Sequence, residues 1–257
     1  MFWWGKVCEN PQPLYSQVFF AVMPRFLAID TTTEVCSVAL GNAKTCVTRQ
    51  STQANSHAKV VLQLIEEVLS EGGAQLNEVD ALALTIGPGS FTGIRIGLSV
   101  AQSLAYGAQL PVVCLTSLEL LAAQCQLDNA HRANPVIVCP ALDARMGEIY
   151  WQLFELNQKG ELKPLSPPSI GTPETFNKIT DYLSGDVLGV GHGWQVTDVE
   201  RHDGFSVLPD LKPNAQGMLH IAQQRFEKNE LTSAFELEPL YLRNEITWQK
   251  RKRMRDN

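Results

Sequence analysis

The stretch Ile86-Gly87-Pro88-Gly89-Ser90-Phe91-Thr92-Gly93-Ile94-Arg95-Ile96-Gly97 follows an apolar run and opens into a helical pattern, the layout of a loop that holds an anion. Orphan N–H groups and the helix dipole converge at such a helix start, so Gly89 and Ser90 are candidate phosphate contacts. Neither standard grammar is obeyed, however. A P-loop needs a lysine and a hydroxyl after its last glycine, where Ile94 and Arg95 stand, and the dinucleotide fingerprint needs a glycine at Thr92. The competing reading is mechanical. Gly87 and Gly89 then permit a sharp strand-to-helix turn, while Gly93, Gly97, Ala101, Ala105 and Ala108 keep one helix face small for close packing.

Other reactive types are sparse. Asp30 with Thr31, Thr32 and Thr33 suits a magnesium-bound water or a phosphate, and equally a turn cap. Asp143, Arg145 and Glu148 read as a small polar site or as a local ion pair. Ser90 lies outside any G-x-S-x-G elbow. The five histidines, His57, His131, His192, His202 and His220, form no H-E-x-x-H or H-x-x-x-H pair, so no metal site built on one helix is expected.

Composition narrows the class. The 257 residues are 44% hydrophobic and 19% charged with a net charge of -6, which excludes a disordered chain and an electrostatically built nucleic-acid binder. The six cysteines contain no C-x-x-C pair and four sit in apolar runs, which favours a reducing cytosol over a disulfide framework. No run reaches the roughly 18 to 20 apolar residues of a membrane span, so a cytoplasmic protein without membrane contact is expected. Residues 1 to 22 read as an upstream or non-native extension before a natural start at Met23, with a functional arm as the alternative. Residues 246 to 257 carry the basic run Lys250-Arg251-Lys252-Arg253-Met254-Arg255, a solvated terminus or a contact for RNA phosphate.

Between these ends the pattern alternates. Strands are expected at 26–30, 35–40 and 45–49, a helix at 56–70 capped by Asn55 or Ser56, and a strand at 81–85. A helix at 92–108, a strand at 111–115 and a helix at 117–126 follow. The grammar then restarts with strands at 136–141 and 148–156, a proline-rich connection, a helix at 175–184, a strand at 187–190 and a helix at 215–228. An α/β chain of two lobes with mixed sheets is expected, with the lobes at 23–112 and 113–245.

The helix at 57–70 adds a quantitative clue. At about 100° per residue its apolar positions Ala58, Val60, Val61, Leu62, Leu64, Ile65, Val68 and Leu69 cover roughly 200°, about twice what a helix on its own sheet needs. The excess packs on a neighbouring helix of the same lobe or on a partner's helices.

The runs Phe26-Leu27-Ala28-Ile29-Asp30-Thr31-Thr32-Thr33-Glu34-Val35-Cys36, Gly87 to Gly97, Asp143-Ala144-Arg145-Met146-Gly147-Glu148 and Tyr241-Leu242-Arg243-Asn244 together resemble the TsaB (YeaZ) family over Met23 to about Trp248. The resemblance implies an actin/hexokinase-like (ASKHA) two-lobed α/β fold. It also implies a non-catalytic part in N6-threonylcarbamoylation of adenosine 37 in tRNA, as scaffold for the paralogous transferase TsaD, with the ATPase TsaE joining. Catalytic relatives carry an H-x-x-x-H metal pair where Ser117 and Leu121 stand, which agrees with a scaffold without a metal or cofactor of its own. ATP or ADP near the partner interface stays open, with Asp30, Thr31, Gly89 and Ser90 as contacts. In that family the helices of the first lobe bundle with TsaD, or with a second copy in its absence. The resemblance therefore assigns Ala58, Val61, Leu62, Leu64, Ile65, Val68, Leu69, Gly97, Ala101 and Leu104 to the interface, and leaves tRNA to be met through the complex. The alternative is an ATP-dependent transferase or peptidase-like enzyme using Asp30, Ser90 and Asp143.

Overall fold

The computed structural model describes residues 23–52, 57–125, 136–157 and 161–243. The expected extension at 1–22, the N-cap at Asn55 or Ser56, His131 and the basic tail lie outside them. Strands β1 (Phe26–Asp30), β2 (Cys36–Gly41) and β3 (Cys46–Ser51) run antiparallel, and helix α1 (His57–Glu71) follows. Strand β4 (Ala81–Thr85), helix α2 (Phe91–Ala108) and strand β5 (Val112–Leu115) complete a sheet of order β3-β2-β1-β4-β5, with β4 and β5 parallel to β1.

Helix α3 (Ser117–Gln124) leads to the second sheet. Strands β6 (Val136–Arg145), β7 (Glu148–Trp151), β8 (Phe154–Leu156), β9 (Leu162–Pro164) and β10 (Ser169–Gly171) precede helix α4 (Pro173–Thr180). Strands β11 (Val187–Val190) and β12 (Phe205–Leu208) precede helix α5 (Met218–Glu227). The order β10-β7-β6-β11-β12 repeats the first sheet position for position, three antiparallel strands extended by two parallel ones, with β8 and β9 added beside β6. This duplicated lobe is the architecture of the actin/hexokinase-like fold.

Both faces of the first sheet are covered, which is why its strands read as continuous apolar runs. Alternation survives in side-chain size. Leu27, Ile29, Val38, Leu82 and Leu84 pack with α1 and α2, whereas Phe26, Ala28, Ala39, Ala81 and Ala83 pack with α3 and α5. The alanines let α5 approach closely, and Met218, Leu219, Ile221 and Ala222 fill the gap. The expected lobe boundary at 112/113 therefore needs correction. It cuts β5, which pairs with β4, and α5 returns from beyond the second sheet to close the first lobe. Helix α3 serves both lobes, with Leu120 and Ala123 turned to the first core and Leu118, Leu121 and Ala122 to the second.

Element ends moved for local reasons. The expected strand at 148–156 breaks at Gln152 and Leu153, where Leu153 N–H donates to Ser166 Oγ at 3.0 Å instead of continuing a ladder. Thr172 caps α4 from outside with Pro173 in its first turn, so that helix starts earlier than expected and ends at Thr180. The proline-rich connection contains β9 and β10, whose prolines sit at or beyond strand ends.

The small face of α2 lies directly on the turn after β1. A Cβ on Gly93 would fall 2.0 Å from the Thr31 carbonyl oxygen, and one on Gly97 2.4 Å from Thr31 Oγ1. Gly107, near the exposed end of the same helix, has nothing within 4 Å of its would-be Cβ. Gly93→Ala is thus expected to cost about 2–3 kcal/mol by overpacking. Gly107→Ala should stabilise by about 0.4–1 kcal/mol through the unfolded chain, and urea unfolding of both variants checks the pair.

Candidate functional site

The threonine bend after β1 and the glycine loop form one hydrogen-bonded unit. Asp30 Oδ1 accepts from the Thr32 N–H at 3.0 Å, from Thr32 Oγ1 at 2.7 Å and from Thr85 Oγ1 on β4. Ser117 Oγ, at the start of α3, donates to Thr32 Oγ1 at 2.9 Å. Thr31 Oγ1 donates to the Gly93 carbonyl at 2.7 Å, and the Ser90 N–H donates to the Thr32 carbonyl at 2.7 Å. Asp30, Thr31, Thr32, Thr85 and Ser117 are all buried.

Asp30, Thr31, Gly89 and Ser90 are therefore brought together, but against each other. A Cβ on Gly89 would lie 2.3 Å from the Thr32 carbonyl oxygen, so the glycine marks a backbone approach filled by the protein's own turn. Ser90 Oγ accepts from the Gly93 N–H at 3.2 Å, which caps α2 internally. Asp30 Oδ2 is buried without a hydrogen-bond partner among the described residues. Burial pushes the Asp30 carboxyl above its ordinary value of 3.8, against the bonds from Thr85 and Thr32 and the field of His57. Ser117 and Leu121, at the positions compared with the histidine pair, are buried, one bonded to Thr32 and the other in the second core.

In the second lobe the polar groups pair locally. Asp143 Oδ2 meets Arg145 Nη1 at 3.1 Å, while Glu148 binds Arg243 instead. The Asp143 N–H donates to His192 Nδ1 at 2.9 Å, which fixes the neutral ring with its proton on Nε2. Burial lowers the His192 pKa, Glu34 and Asp143 opposing and Arg145 and Lys212 adding to the shift. Glu34, after the threonine turn, bridges to Lys212 at 2.9 Å.

The outer surface of α1 and α2 is different in character. Val61, Leu64, Ile65 and Val68 are buried in the lobe's own core with β2 and β4, and Gly97 and Ala101 face inward on α2. Their assignment to a partner interface is corrected accordingly, because the wide apolar arc of α1 is divided between the sheet and α2. Of the remaining expected residues, Ala58 and Leu62 are exposed, while Leu69 and Leu104 are half-buried. Leu62 is 55% exposed and Phe91 51% exposed, so both leave large apolar side chains in water. An open groove of about 490 Å³ between the helices is lined by Ala58, Phe91, Thr92, Arg95, Ile96, Ser99 and Val100. Sequence reasoning missed its α2 side because it followed the small-residue stripe, which points inward. Phe91 followed four residues later by Arg95 was the available signal, since that spacing stacks two side chains on one face.

A family model described as TsaD, tRNA N6-adenosine threonylcarbamoyltransferase, matches residues 49–183. The chain is 38% identical to the tRNA threonylcarbamoyladenosine biosynthesis protein TsaB of Escherichia coli (strain K12) over 231 residues, 88% of this chain and 97% of that one. The chain belongs to the TsaB family. The TsaB protein of Haemophilus influenzae is 37% identical over 87% of this chain and 95% of its own length. The solved structure of YeaZ from Pseudomonas aeruginosa superposes with a TM-score of 0.77 at 32% identity, covering 86% of this chain and all of that one. TsaB is thus a family of tRNA threonylcarbamoyladenosine biosynthesis. No helix of the described residues is long and apolar enough to cross a membrane.

The threonine turn makes a sharp prediction for this TsaB chain. Asp30→Ala should cost about 2–4 kcal/mol by orphaning buried donors. Asp30→Asn keeps an acceptor without a buried charge and should cost far less. Since the folded pKa is raised, the stability Asp30 contributes is fully present below 3.8 and is lost as pH rises through the folded value. Urea unfolding from pH 4 to 8 should show wild type losing ground to Asp30→Asn as pH rises; equal damage from both substitutions would mean that the charged form is needed.

Proposed function

We propose that the chain is a scaffold and activator subunit that docks on a TsaD transferase through the outer faces of α1 and α2, and leaves the transfer to TsaD. The observation that carries this reading is the contrast between the two faces of the first lobe. Around Asp30 the hydroxyls and N–H groups are engaged with each other, whereas Ala58, Leu62, Phe91, Ile96 and Val100 offer apolar surface on neighbouring helices that no described residue fully covers. An uncovered strip of this kind on two neighbouring helices suits a helical bundle shared with a partner.

In this reading TsaE joins the TsaD-bound assembly, a second copy of the chain occupies the same strip when TsaD is absent, and tRNA is met through the complex. A net charge of -6 accords with that indirect role. ATP or ADP belongs at the partner interface, since Asp30, Thr31, Gly89 and Ser90 are packed together within the lobe.

Size-exclusion chromatography with purified TsaD tests the proposal. Leu62→Arg and Val100→Arg should each abolish co-elution while leaving the circular dichroism spectrum unchanged. Val68→Arg, which drives a charge into the core, should unfold the lobe instead. Failure of the wild-type chain to form a complex with TsaD would overturn the reading.

A further inference from the structure

The groove between α1 and α2 has one charged lining residue, Arg95, and it stands in the middle. Along α2 it follows Phe91 by four residues and precedes Val100 by five, about 6 and 7.5 Å by helical rise. Its guanidinium carbon lies 3.4 Å from the centroid of the Phe91 ring and 5.6 Å from that of Tyr241. Contacts of this kind hold a cation by the π-face of a ring and use none of its N–H donors. Among the described residues no carboxylate pairs with Arg95, and none accepts a hydrogen bond from it.

In the free chain the side chain is exposed, so water serves its donors. A partner seated across the groove removes that water, because apolar lining lies on both sides of the arginine. An enclosed lysine can shed its proton, whereas a guanidinium keeps its charge at any working pH. The charge is then met by an anion on the partner, or it opposes binding. The guanidinium fork matches a carboxylate through two parallel hydrogen bonds.

We infer that Arg95 is the central anchor of the TsaD contact and takes an aspartate or glutamate side chain of TsaD in a charge-assisted pair. The inference rests on the reading of this face as the TsaD docking face, and adds what the partner must carry there. That is one carboxylate, bordered by apolar side chains that cover Phe91, Ile96 and Val100. Phe91 and Tyr241 hold the guanidinium in one place before contact, which lowers the ordering cost of the pair. The pair also selects the partner, since an apolar or basic side chain at that point leaves the arginine desolvated and unpaired.

The test is isothermal titration calorimetry of the full chain with purified TsaD, without added nucleotide so that no phosphate supplies the anion. Arg95→Gln should weaken binding about thirtyfold or more, and Arg95→Glu further. Arg95→Lys should fall between wild type and Arg95→Gln, keeping the charge and losing the fork. The position is exposed, so the circular dichroism spectra should match wild type. Surface aspartates and glutamates of TsaD are then changed to arginine one at a time. One of these variants should bind the wild-type chain poorly and the Arg95→Glu chain well. Wild-type affinity in Arg95→Gln would overturn the anchor, and so would a TsaD series in which no reversal rescues Arg95→Glu. A loss in Arg95→Gln that appears only when ATP or ADP is added assigns the cation to a phosphate and overturns the carboxylate. Leu62→Arg separates these failures from failure of the docking face. If it abolishes binding while Arg95→Gln does not, the face stands and the anchor falls; if the wild-type chain itself does not bind TsaD, the docking reading falls and the anchor with it.

Discussion

The contact between the threonine turn and the start of α2 is the constraint on which the first lobe depends. Thr31 bonds to the Gly93 carbonyl, the Thr32 carbonyl receives the Ser90 N–H, and Gly89, Gly93 and Gly97 have no room for a side chain on that side. Because the turn is itself anchored through Asp30 to Thr85 on β4 and through Thr32 to Ser117 on α3, three elements are fixed by one buried network. With its small face committed inward, α2 must present Phe91, Arg95 and Ser99 outward. The groove beside α1 is thus the reverse side of a packing constraint.

The same network engages part of a loop that has phosphate-loop composition. Anion binding at a helix start uses N–H groups that the protein leaves free. Ser90 and Gly93 donate to Thr32 and to the Ser90 hydroxyl instead, and the Thr32 carbonyl oxygen fills the space beside Gly89. A carbonyl repels an anion. Glycine serves two purposes in such loops, close approach of a ligand and close approach of backbone, and only the surrounding atoms distinguish them.

Much of this was legible in the sequence. The order of strands and helices followed from periodicity and turn residues, and the small-residue spacing of α2 pointed correctly to close packing. The two-lobed class followed from the restart of the pattern at Val136. What failed was directional. The apolar arc of α1 is wide because the helix touches both a sheet and a neighbouring helix, so width alone did not say which part faces outward; Val61 and Leu62 are adjacent in sequence and lie on opposite sides of that division. The return of α5 to the first sheet was also hidden, since the pairing of Ala28 and Ala83 with Met218 and Ala222 spans most of the chain. Short strands β9 and β10 were masked by prolines that end them.

The C-terminal segment joins the two surfaces that local patterns treat separately. Leu240 N–H donates to the Ile86 carbonyl beside the glycine loop at 2.8 Å. Tyr241 stacks on Phe91 with ring centroids 5.6 Å apart. Leu242 packs on the core of the second lobe, and Arg243 holds the β6–β7 turn through Glu148 and the Ala144 carbonyl. Successive residues thus touch the first lobe, the Phe91 side of the α1/α2 groove and the second lobe. On the proposed reading a partner that seats on Phe91 and Arg95 meets Tyr241 in the same contact, and Tyr241 is one residue from the side chain in the second core and two from the arginine that clamps its turn. Binding energy spent at the groove is therefore placed on the segment that ties the lobes together, and differential affinity for one lobe arrangement is the only physical route by which a docked subunit can change the other's state.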